Sequence, residues 1–266
     1  MANALIDYQP GEDGIATITL DDPPANTYSY DMMRQLDAAI LEARMEESVH
    51  VVLLRGAGEK FFCAGANIGM LASVTPRFKY YFCLHANETL NRLEQTPKLV
   101  IAAISGHCVG GGLEVAMAAD MRFARKGAGK IGLPEVGLGV LPGTGGTQRL
   151  LRLVGKARAL ELMAGGRLFE MEEARELGLV NEVLDAPDAA SFLAQVRERA
   201  RQFVPPAKAS RAVGLIKRAV QSGAEMAFGD ALALERELQQ QLFESEDARE
   251  GLAANVEKRK PAFKGR

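Results

Sequence analysis

The chain has 266 residues, of which 47% are hydrophobic and 25% charged, a balance that permits one large domain, or one domain with a helical appendage, around a sizeable core. The formal net charge of −2 argues against a general attraction to nucleic acid or to an anionic membrane. The three cysteines, Cys63, Cys83 and Cys108, include no CxxC pair and are expected to be reduced, buried residues of a cytoplasmic protein.

Segment 1–14 is acidic and lacks a basic region followed by a long apolar run, so we expect no signal or transit peptide. The apolar stretch 99–119 is long enough to span a membrane, but it contains His107, Glu114 and several glycines. A buried strand, turn and helix therefore account for it better than a membrane span.

Strands and helices are predicted to alternate up to about residue 145. Hydrophobic periodicity predicts strands at 15–20, 49–54, 99–104 and 120–124, and helices at 31–43, 75–94 and from 110 onward. Segments with mostly helical spacing follow, at 147–163, 171–176, 191–202 and 207–255. This order predicts an α/β fold with largely buried sheets and a helical C-terminal part.

Three successive glycines, Gly110–Gly112, follow a predicted strand and open a predicted helix. Such a turn exposes backbone N–H groups without helical acceptors and favours an oxygen that carries or gains negative charge, in a phosphate or an enolate. The spacing matches neither GxGxxG nor GxxxxGK[ST], which excludes the two common phosphate-binding fingerprints. A glycine turn made only for close helix–sheet packing is the alternative.

Two glutamates accompany the glycine turns. Glu114 lies less than one helical turn after Gly111, in an otherwise apolar helix, where a carboxylate is costly unless it has partners or a function; exposure on the helix face is the alternative. Glu135 follows Pro134, which is also the pattern of an ordinary helix start. Two further glycine-rich turns lie at 143–146 and at 61–67, and the latter could be a simple connecting loop.

The sequence contains no motif for a metal site, a serine hydrolase or nucleic-acid binding. Neither HExxH nor a Cys/His cluster predicts a metal site, and His50, His85 and His107 are expected to be structural. Ser105 does not lie in GxSxG, which argues against a hydrolase elbow, and no interleaving of aromatic and basic residues indicates nucleic-acid binding.

Taken together, these segments resemble the enoyl-CoA hydratase/isomerase (crotonase) superfamily. The resemblance runs over nearly the whole chain, and its specificity comes from the order and spacing of the pieces rather than from any one of them. The matching segments are 62–67, 103–120, 133–135, 142–150, 174–181 and 257–263.

The resemblance implies a spiral of ββα turns in residues 1–200 that binds acyl-CoA. It implies that residues 201–266 form helices for oligomerisation, as a homotrimer or a dimer of trimers, and cover the CoA pocket. CoA would be part of the substrate, with no separate cofactor and no metal, nucleic-acid or membrane partner.

By motif, the resemblance assigns Ala66 and Gly111 to an oxyanion hole for the thioester oxygen, and Glu114 and Glu135 to catalysis. Gly143 matches a backbone position that helps to hold the catalytic water. The further positions expected to contact substrate or CoA are Ala64, Asn67, Ile68, Phe263 and Lys264.

Some positions depart from the family pattern. Asn67 stands where an aspartate is usual, and Gly69 where a lysine often contacts a CoA phosphate; Lys264, from a neighbouring subunit, is a candidate to compensate. Segment 25–30 also differs from the commonest version. An intact glutamate pair favours hydration of an enoyl-CoA to 3-hydroxyacyl-CoA. An isomerase or a hydrolase on the same scaffold, or a non-catalytic RNA-binding or scaffold protein, is the alternative.

Overall fold

A computed structural model of the chain describes residues 4–266 and shows two β-sheets surrounded by helices. The larger sheet has six strands and the smaller sheet four. The strands are Ile6–Gln9 (β1), Ile15–Leu20 (β2), Val51–Gly56 (β3), Phe61–Cys63 (β4), Leu99–Ile104 (β5), His107–Val109 (β6), Met121–Arg125 (β7), Lys130–Gly132 (β8), Phe169–Glu170 (β9) and Glu182–Leu184 (β10).

Helices connect the strands and form the C-terminal part of the chain. A short 3₁₀ helix, Glu135–Leu138, follows β8. The α-helices are Tyr30–Met45 (α1), Ile68–Ser73 (α2), Pro76–Gln95 (α3), Gly111–Met117 (α4), Gly146–Val154 (α5), Lys156–Gly165 (α6), Met171–Glu176 (α7), Ala189–Arg201 (α8), Ser210–Gly223 (α9), Phe228–Phe243 (α10) and Glu246–Glu257 (α11).

Consecutive strands divide between the two sheets. The larger sheet has the order β1-β2-β3-β5-β7-β10 and the smaller sheet the order β4-β6-β8-β9. The chain therefore passes from β3 to β4, from β5 to β6 and from β7 to β8, leaving the larger sheet for the smaller one each time. Helices then return the chain to the larger sheet, in the last case after β9 of the smaller sheet, so the expected spiral of ββα turns is confirmed.

Both faces of the larger sheet are covered, which explains its continuous apolar strands. Every residue of β5 is buried. On one face, Ile18 and Leu54 pack in a cluster that includes Leu36 of α1 and Leu90 of α3. On the other face, Phe192 of α8 belongs to a second buried cluster with strand residues.

Capping residues set where two of these helices begin. The Ser29 hydroxyl accepts a hydrogen bond from the N–H of Met32 at the start of α1. Thr75 does the same for α3, whose first residue is Pro76, a position where the missing N–H of proline is tolerated.

The predicted elements differ from the observed ones in length more than in type. The bounds of β2, β5 and α7 are as predicted, and the helix predicted from residue 110 onward is short, since α4 spans only Gly111–Met117. Segment 147–163 is broken at Gly155, whose φ of +80° is left-handed backbone, and segment 207–255 forms three helices. The very short strands were not predicted, because two to four residues are too few to show a period.

The cysteines are free, as expected, but only two of them are buried. Cys63 and Cys108 lie in the core, whereas Cys83 on α3 is half-buried, so the expectation of burial is wrong at this position. No helix within residues 4–266 is both long and apolar enough to cross a membrane. A boundary near residue 200 between core and helical region stays a prediction.

A buried ion pair attaches α9 to the larger sheet. Lys217 Nζ lies 2.9 Å from Asp120 Oδ2, and both side chains are almost inaccessible to solvent. The same ammonium donates hydrogen bonds to the carbonyl oxygens of Leu93 and Lys98. Removing one member of such a pair leaves an uncompensated charge in a low-dielectric environment.

We expect Lys217→Met to lower the free energy of unfolding by about 3 kcal/mol, because Asp120 stays buried without its cation. Lys126→Met is the matched control, since it breaks an exposed pair with Asp185, and it should cost less than about 1 kcal/mol. Urea unfolding of both variants at pH 7 gives the comparison. Equal losses would contradict the anchoring role of Lys217.

Candidate active site

The carboxyl ends of three adjacent strands point to one region of the molecule. Strands β4, β6 and β8 run parallel in the smaller sheet, so the loops that follow them leave from the same edge. Ala66 lies in the first loop, Gly111 is the first residue of the helix after the second, and Glu135 is the first residue of the 3₁₀ helix after the third. A fold that alternates its strands between two sheets thus brings together residues far apart in the sequence.

These loops surround a cavity of about 500 Å³. The residues named by sequence motif that line it are Ala64, Ala66, Ile68, Gly111, Glu114, Glu135 and Gly143. The structure therefore places both glutamates and both proposed oxyanion donors around a single space. Most of its remaining lining is apolar, which is typical of a ligand site with a few placed polar groups.

The backbone around Ala66 is held by Tyr28. Tyr28 N–H donates to the Gly65 carbonyl at 2.9 Å, and Asn67 N–H donates to the Tyr28 carbonyl at 2.9 Å. These two bonds form an isolated parallel β-bridge between Tyr28 and Ala66. The N–H of Ala66 takes no part in the bridge and has no acceptor among residues 4–266. Gly65 has φ +91°, and a Cβ there would lie 3.1 Å from the Gly111 nitrogen, so glycine allows the two loops to approach each other.

Close packing and free N–H groups both explain the three glycines. A Cβ on Gly111 would lie 2.2 Å from Tyr28 Oη, and one on Gly112 would lie 2.1 Å from the Cys63 carbonyl oxygen. Gly111 is the first residue of α4, and its N–H likewise has no acceptor within the described part of the chain. The structure thus supports the close-packing alternative, while the anion-binding interpretation, with which the free N–H groups are compatible, stays a prediction.

Glu114 is buried and well supplied with donors. Its side chain is only 2% exposed, so the alternative of a carboxylate on the helix surface is wrong. One oxygen, Oε1, accepts hydrogen bonds from the N–H groups of Thr144 and Gly146, each at 2.7 Å. Burial raises the pKa of Glu114 above its ordinary value, although these donors and the charges of Arg149 and Lys79 act in the opposite direction.

Glu135 has a different environment. It opens the 3₁₀ helix after β8 rather than an α-helix. Its Oε2 atom is buried without a hydrogen-bond partner in residues 4–266. Burial, with a smaller contribution from the negative charge of Glu114, raises the pKa of Glu135 to about 7. The two carboxyl groups thus differ in hydrogen bonding, and Glu135 keeps its proton closer to neutrality than an ordinary glutamate does.

Sequence reasoning missed four polar or titratable side chains of the cavity. These are Tyr28, Lys79, Cys83 and Thr144. Tyr28 lies in the segment noted for its unusual sequence, but nothing in the spacing placed it beside Glu114. The other three lie in helix α3 and in the turn before α5, where no local pattern distinguishes a cavity residue from a core residue.

Asn67 is at the edge of the site and has a structural role. Its Oδ1 atom accepts a hydrogen bond from the N–H of Met70 at 2.9 Å and so caps α2. Its amide also donates to the Thr27 hydroxyl at 3.4 Å. A contact between Asn67 and CoA stays a prediction.

Phe263 and Lys264 do not reach this cavity within the same chain. The N–H of Lys264 donates to Asp247 Oδ1 at 2.7 Å, and the ring of Phe263 lies beside Gly251 of α11. Their assignment to CoA binding therefore stays a prediction that depends on a second copy of the chain.

All three histidines have structural contacts. His107 Nδ1 accepts a hydrogen bond from the N–H of Lys130 at 3.0 Å. His50 Nδ1 lies 3.0 Å from the Ser210 hydroxyl. The ring of His85 packs edge-on against Tyr30 at 5.4 Å between centroids. Over residues 4–266 no group of three or more His, Cys, Asp or Glu side chains is arranged to hold a metal ion.

Comparison with known proteins gives consistent matches over nearly the full length. The family profile described as Enoyl-CoA hydratase/isomerase matches residues 11–266. The Short-chain-enoyl-CoA hydratase of Clostridium acetobutylicum is 38% identical over 257 residues, which cover 96% of this chain and 96% of that protein.

Solved structures give the same picture. An enoyl-CoA hydratase structure from Geobacillus kaustophilus HTA426 is similar with a TM-score of 0.95 and 46% identity, covering 100% of this chain and 98% of that one. The enoyl-CoA hydratase of Bacillus anthracis has a TM-score of 0.90 at 33% identity, covering 99% and 100%.

The raised pKa of Glu135 makes stability depend on pH. Because the folded value of about 7 exceeds the unfolded value of about 4.3, the folded state binds more protons between these limits and the free energy of unfolding falls as pH rises. In Glu135→Gln this pH-dependent decrease in the free energy of unfolding is absent. The free energy of unfolding of the variant, relative to that of the unmodified chain, should therefore increase from pH 5 to pH 8. Urea unfolding at both pH values measures the difference.

Glu176→Gln, at an exposed position on α7, is the control and should change stability equally at the two pH values. If the difference in free energy of unfolding between Glu135→Gln and the unmodified chain is the same at pH 5 and pH 8, the raised pKa of Glu135 is wrong.

Proposed function

The chain belongs to the enoyl-CoA hydratase/isomerase family, and we propose that it adds water reversibly across the C2=C3 bond of an enoyl-CoA thioester to give 3-hydroxyacyl-CoA. The observation that carries this proposal is the single cavity in which two backbone amides without acceptors, of Ala66 and Gly111, lie with Glu114 and Glu135. An acyl thioester between these groups would meet both kinds of catalytic group at once.

The backbone amides of Ala66 and Gly111 would stabilise the negative charge that develops during hydration. Water adds poorly to an isolated alkene, but conjugation to a thioester lets negative charge move to the carbonyl oxygen while hydroxyl bonds to C3. Two fixed N–H donors in an apolar cavity stabilise that oxygen, and removing one such donor typically costs about 3–4 kcal/mol of transition-state stabilisation. Ala66 and Gly111 are the donors in our proposal.

The two glutamates divide the proton transfers between them. Glu114, with two N–H donors on one oxygen, is suited to hold a water molecule and accept its proton, with Gly143 lining the same part of the cavity. Glu135, whose pKa is about 7, is suited to deliver a proton to C2. One water is consumed and oxidation state does not change, so no redox cofactor is needed, and CoA enters as part of the substrate.

We also infer that the chain assembles as a trimer or a dimer of trimers, in which Phe263 and Lys264 of one copy would reach the CoA of another. Large apolar side chains remain exposed on the C-terminal helices, which supports burial against further copies. They include Ile216, Val220, Phe228, Phe243 and Val256. A cytoplasmic location is part of the same proposal.

Glu114→Gln and Glu135→Gln should each lower kcat by about 100-fold or more, since a positioned acid or base contributes at least this much. The KM for the thioester should change little, because neither substitution removes a backbone amide. The assay follows the loss of enoyl absorbance with crotonyl-CoA. Glu88→Gln, on the exposed side of α3, is the control and should retain full activity.

Near-normal turnover of both variants would defeat the assignment of the glutamates. Double-bond migration or CoA release without hydration would instead identify an isomerase or a hydrolase. Retention of RNA at moderate salt with no turnover of any enoyl-CoA would favour the non-catalytic alternative.

The pH dependence of kcat/KM tests the proposed direction of proton transfer. If hydration requires Glu135 in its protonated form, kcat/KM should fall as pH rises through about 7, the pKa of that group. In Glu135→Gln the residual activity should lose this decrease. A profile that rises through the same interval would reverse the assigned roles.

A further inference from the structure

We propose that Tyr28 is a positioning residue, which fixes the loop of Ala66 and the start of α4 relative to the turn that holds Glu114. The inference rests on the function proposed above and adds a residue that no sequence motif identified. Three separate contacts of Tyr28 carry it, one to each of the three segments.

The first contact is made by the backbone. Tyr28 donates its N–H to the Gly65 carbonyl and accepts from the N–H of Asn67, both at 2.9 Å. These bonds flank Ala66 and leave its N–H free for a ligand. The position of one proposed oxyanion donor is therefore tied directly to the backbone of residue 28.

The second contact is made by the ring. Tyr28 is only 3% exposed, and the space that a side chain on Gly111 would need is taken by its phenol, because a Cβ there would lie 2.2 Å from Oη and 2.6 Å from Cε1. The first turn of α4, with the other proposed oxyanion donor, thus packs directly on the tyrosine ring.

The third contact is made by the hydroxyl group. Tyr28 Oη lies 2.9 Å from Thr144 Oγ1, and both atoms are buried. The N–H of the same Thr144 donates to Glu114 Oε1 at 2.7 Å. The Tyr28 phenol therefore fixes Thr144, which in turn donates to the Glu114 carboxylate. Tyr28 and Thr144 are 116 residues apart in the sequence.

These contacts make Tyr28 the connection between the two halves of the site. The proposed oxyanion donors lie in the loop after β4 and at the first residue of α4, whereas the donors to Glu114 come from Thr144 and Gly146, at the start of α5. Small displacements between such groups are costly, since a shift of about 1 Å can reduce turnover by about 100-fold. Loss of the Tyr28 hydroxyl alone should weaken this connection, while the aromatic ring still fills its place in the cavity wall.

Tyr28→Phe tests the proposal with crotonyl-CoA as substrate. We expect kcat to fall about tenfold, in proportion to the loss of one buried hydrogen bond, while KM stays within about twofold. We also expect kcat to fall at low pH, where the proposed base Glu114 becomes protonated, and this fall should begin at higher pH in the variant, because the Thr144 N–H that lowers the pKa of Glu114 would be less well placed. Lys79 and Arg149, which also lower the pKa of Glu114, and Glu135, on which Glu114 acts, are unchanged in this variant.

Thr144 provides the partner variants. Thr144→Val should lose about as much turnover as Tyr28→Phe, and the double variant should lose no more than either, because both remove the same bond. Thr144→Ser restores a hydroxyl and should recover most of the turnover that the valine variant loses. Tyr8→Phe is the control, since it removes a buried phenol oxygen from β1 that has no partner in residues 4–266.

The outcomes separate this inference from the function on which it rests. Turnover and pH profile of Tyr28→Phe equal to those of the unmodified chain, or additive losses in the double variant, would overturn the positioning role and leave hydration intact. Failure of the unmodified chain to hydrate any enoyl-CoA would instead overturn the proposed function. A loss of unfolding free energy with unchanged kcat in the folded fraction would also overturn the positioning role.

Discussion

A carboxylate buried at the start of a short helix constrains much of the molecule. Glu114 has almost no contact with solvent, and a charge in such a place is tolerated only with strong hydrogen-bond donors. Its donors come from the backbone of residues 144 and 146. Helix α4 and the turn before α5 must therefore lie together, and that turn must carry glycine where it meets the carboxylate, since a Cβ on Gly146 would lie 2.9 Å from Oε1.

Glu135 differs from Glu114 in its hydrogen bonding. Glu135 is also largely withdrawn from water, but one of its oxygens has no hydrogen-bond partner within the described residues, and it lies in the field of Glu114. Burial raises the pKa of both acids, but their hydrogen bonding differs, which is one way to separate the proton affinities of neighbouring groups. The proposed mechanism uses this difference, with Glu114 as the anion and Glu135 as the protonated acid.

Sequence patterns predicted the frame of this site better than its interior. The long apolar strands β2 and β5 have enough residues to show their period, and their bounds agree with the structure. The glycine motif also located the start of α4, because a local requirement for small residues is visible in one segment. Strands of three residues and the contact between Tyr28 and Thr144 depend on distant parts of the chain, and no local pattern encodes them.

The arrangement of the smaller sheet has a consequence for how such a protein can diversify. Each of the parallel strands β4, β6 and β8 delivers a different functional group through the loop that follows it, while the larger sheet and its helices supply most of the core. A change in one loop can therefore alter the group that it carries without rebuilding the scaffold, but it must keep the close approach of Gly65 to Gly111 and the contacts of Tyr28 that fit these segments together. Diversification of this architecture is thus confined to substitutions that preserve the packing between the loops.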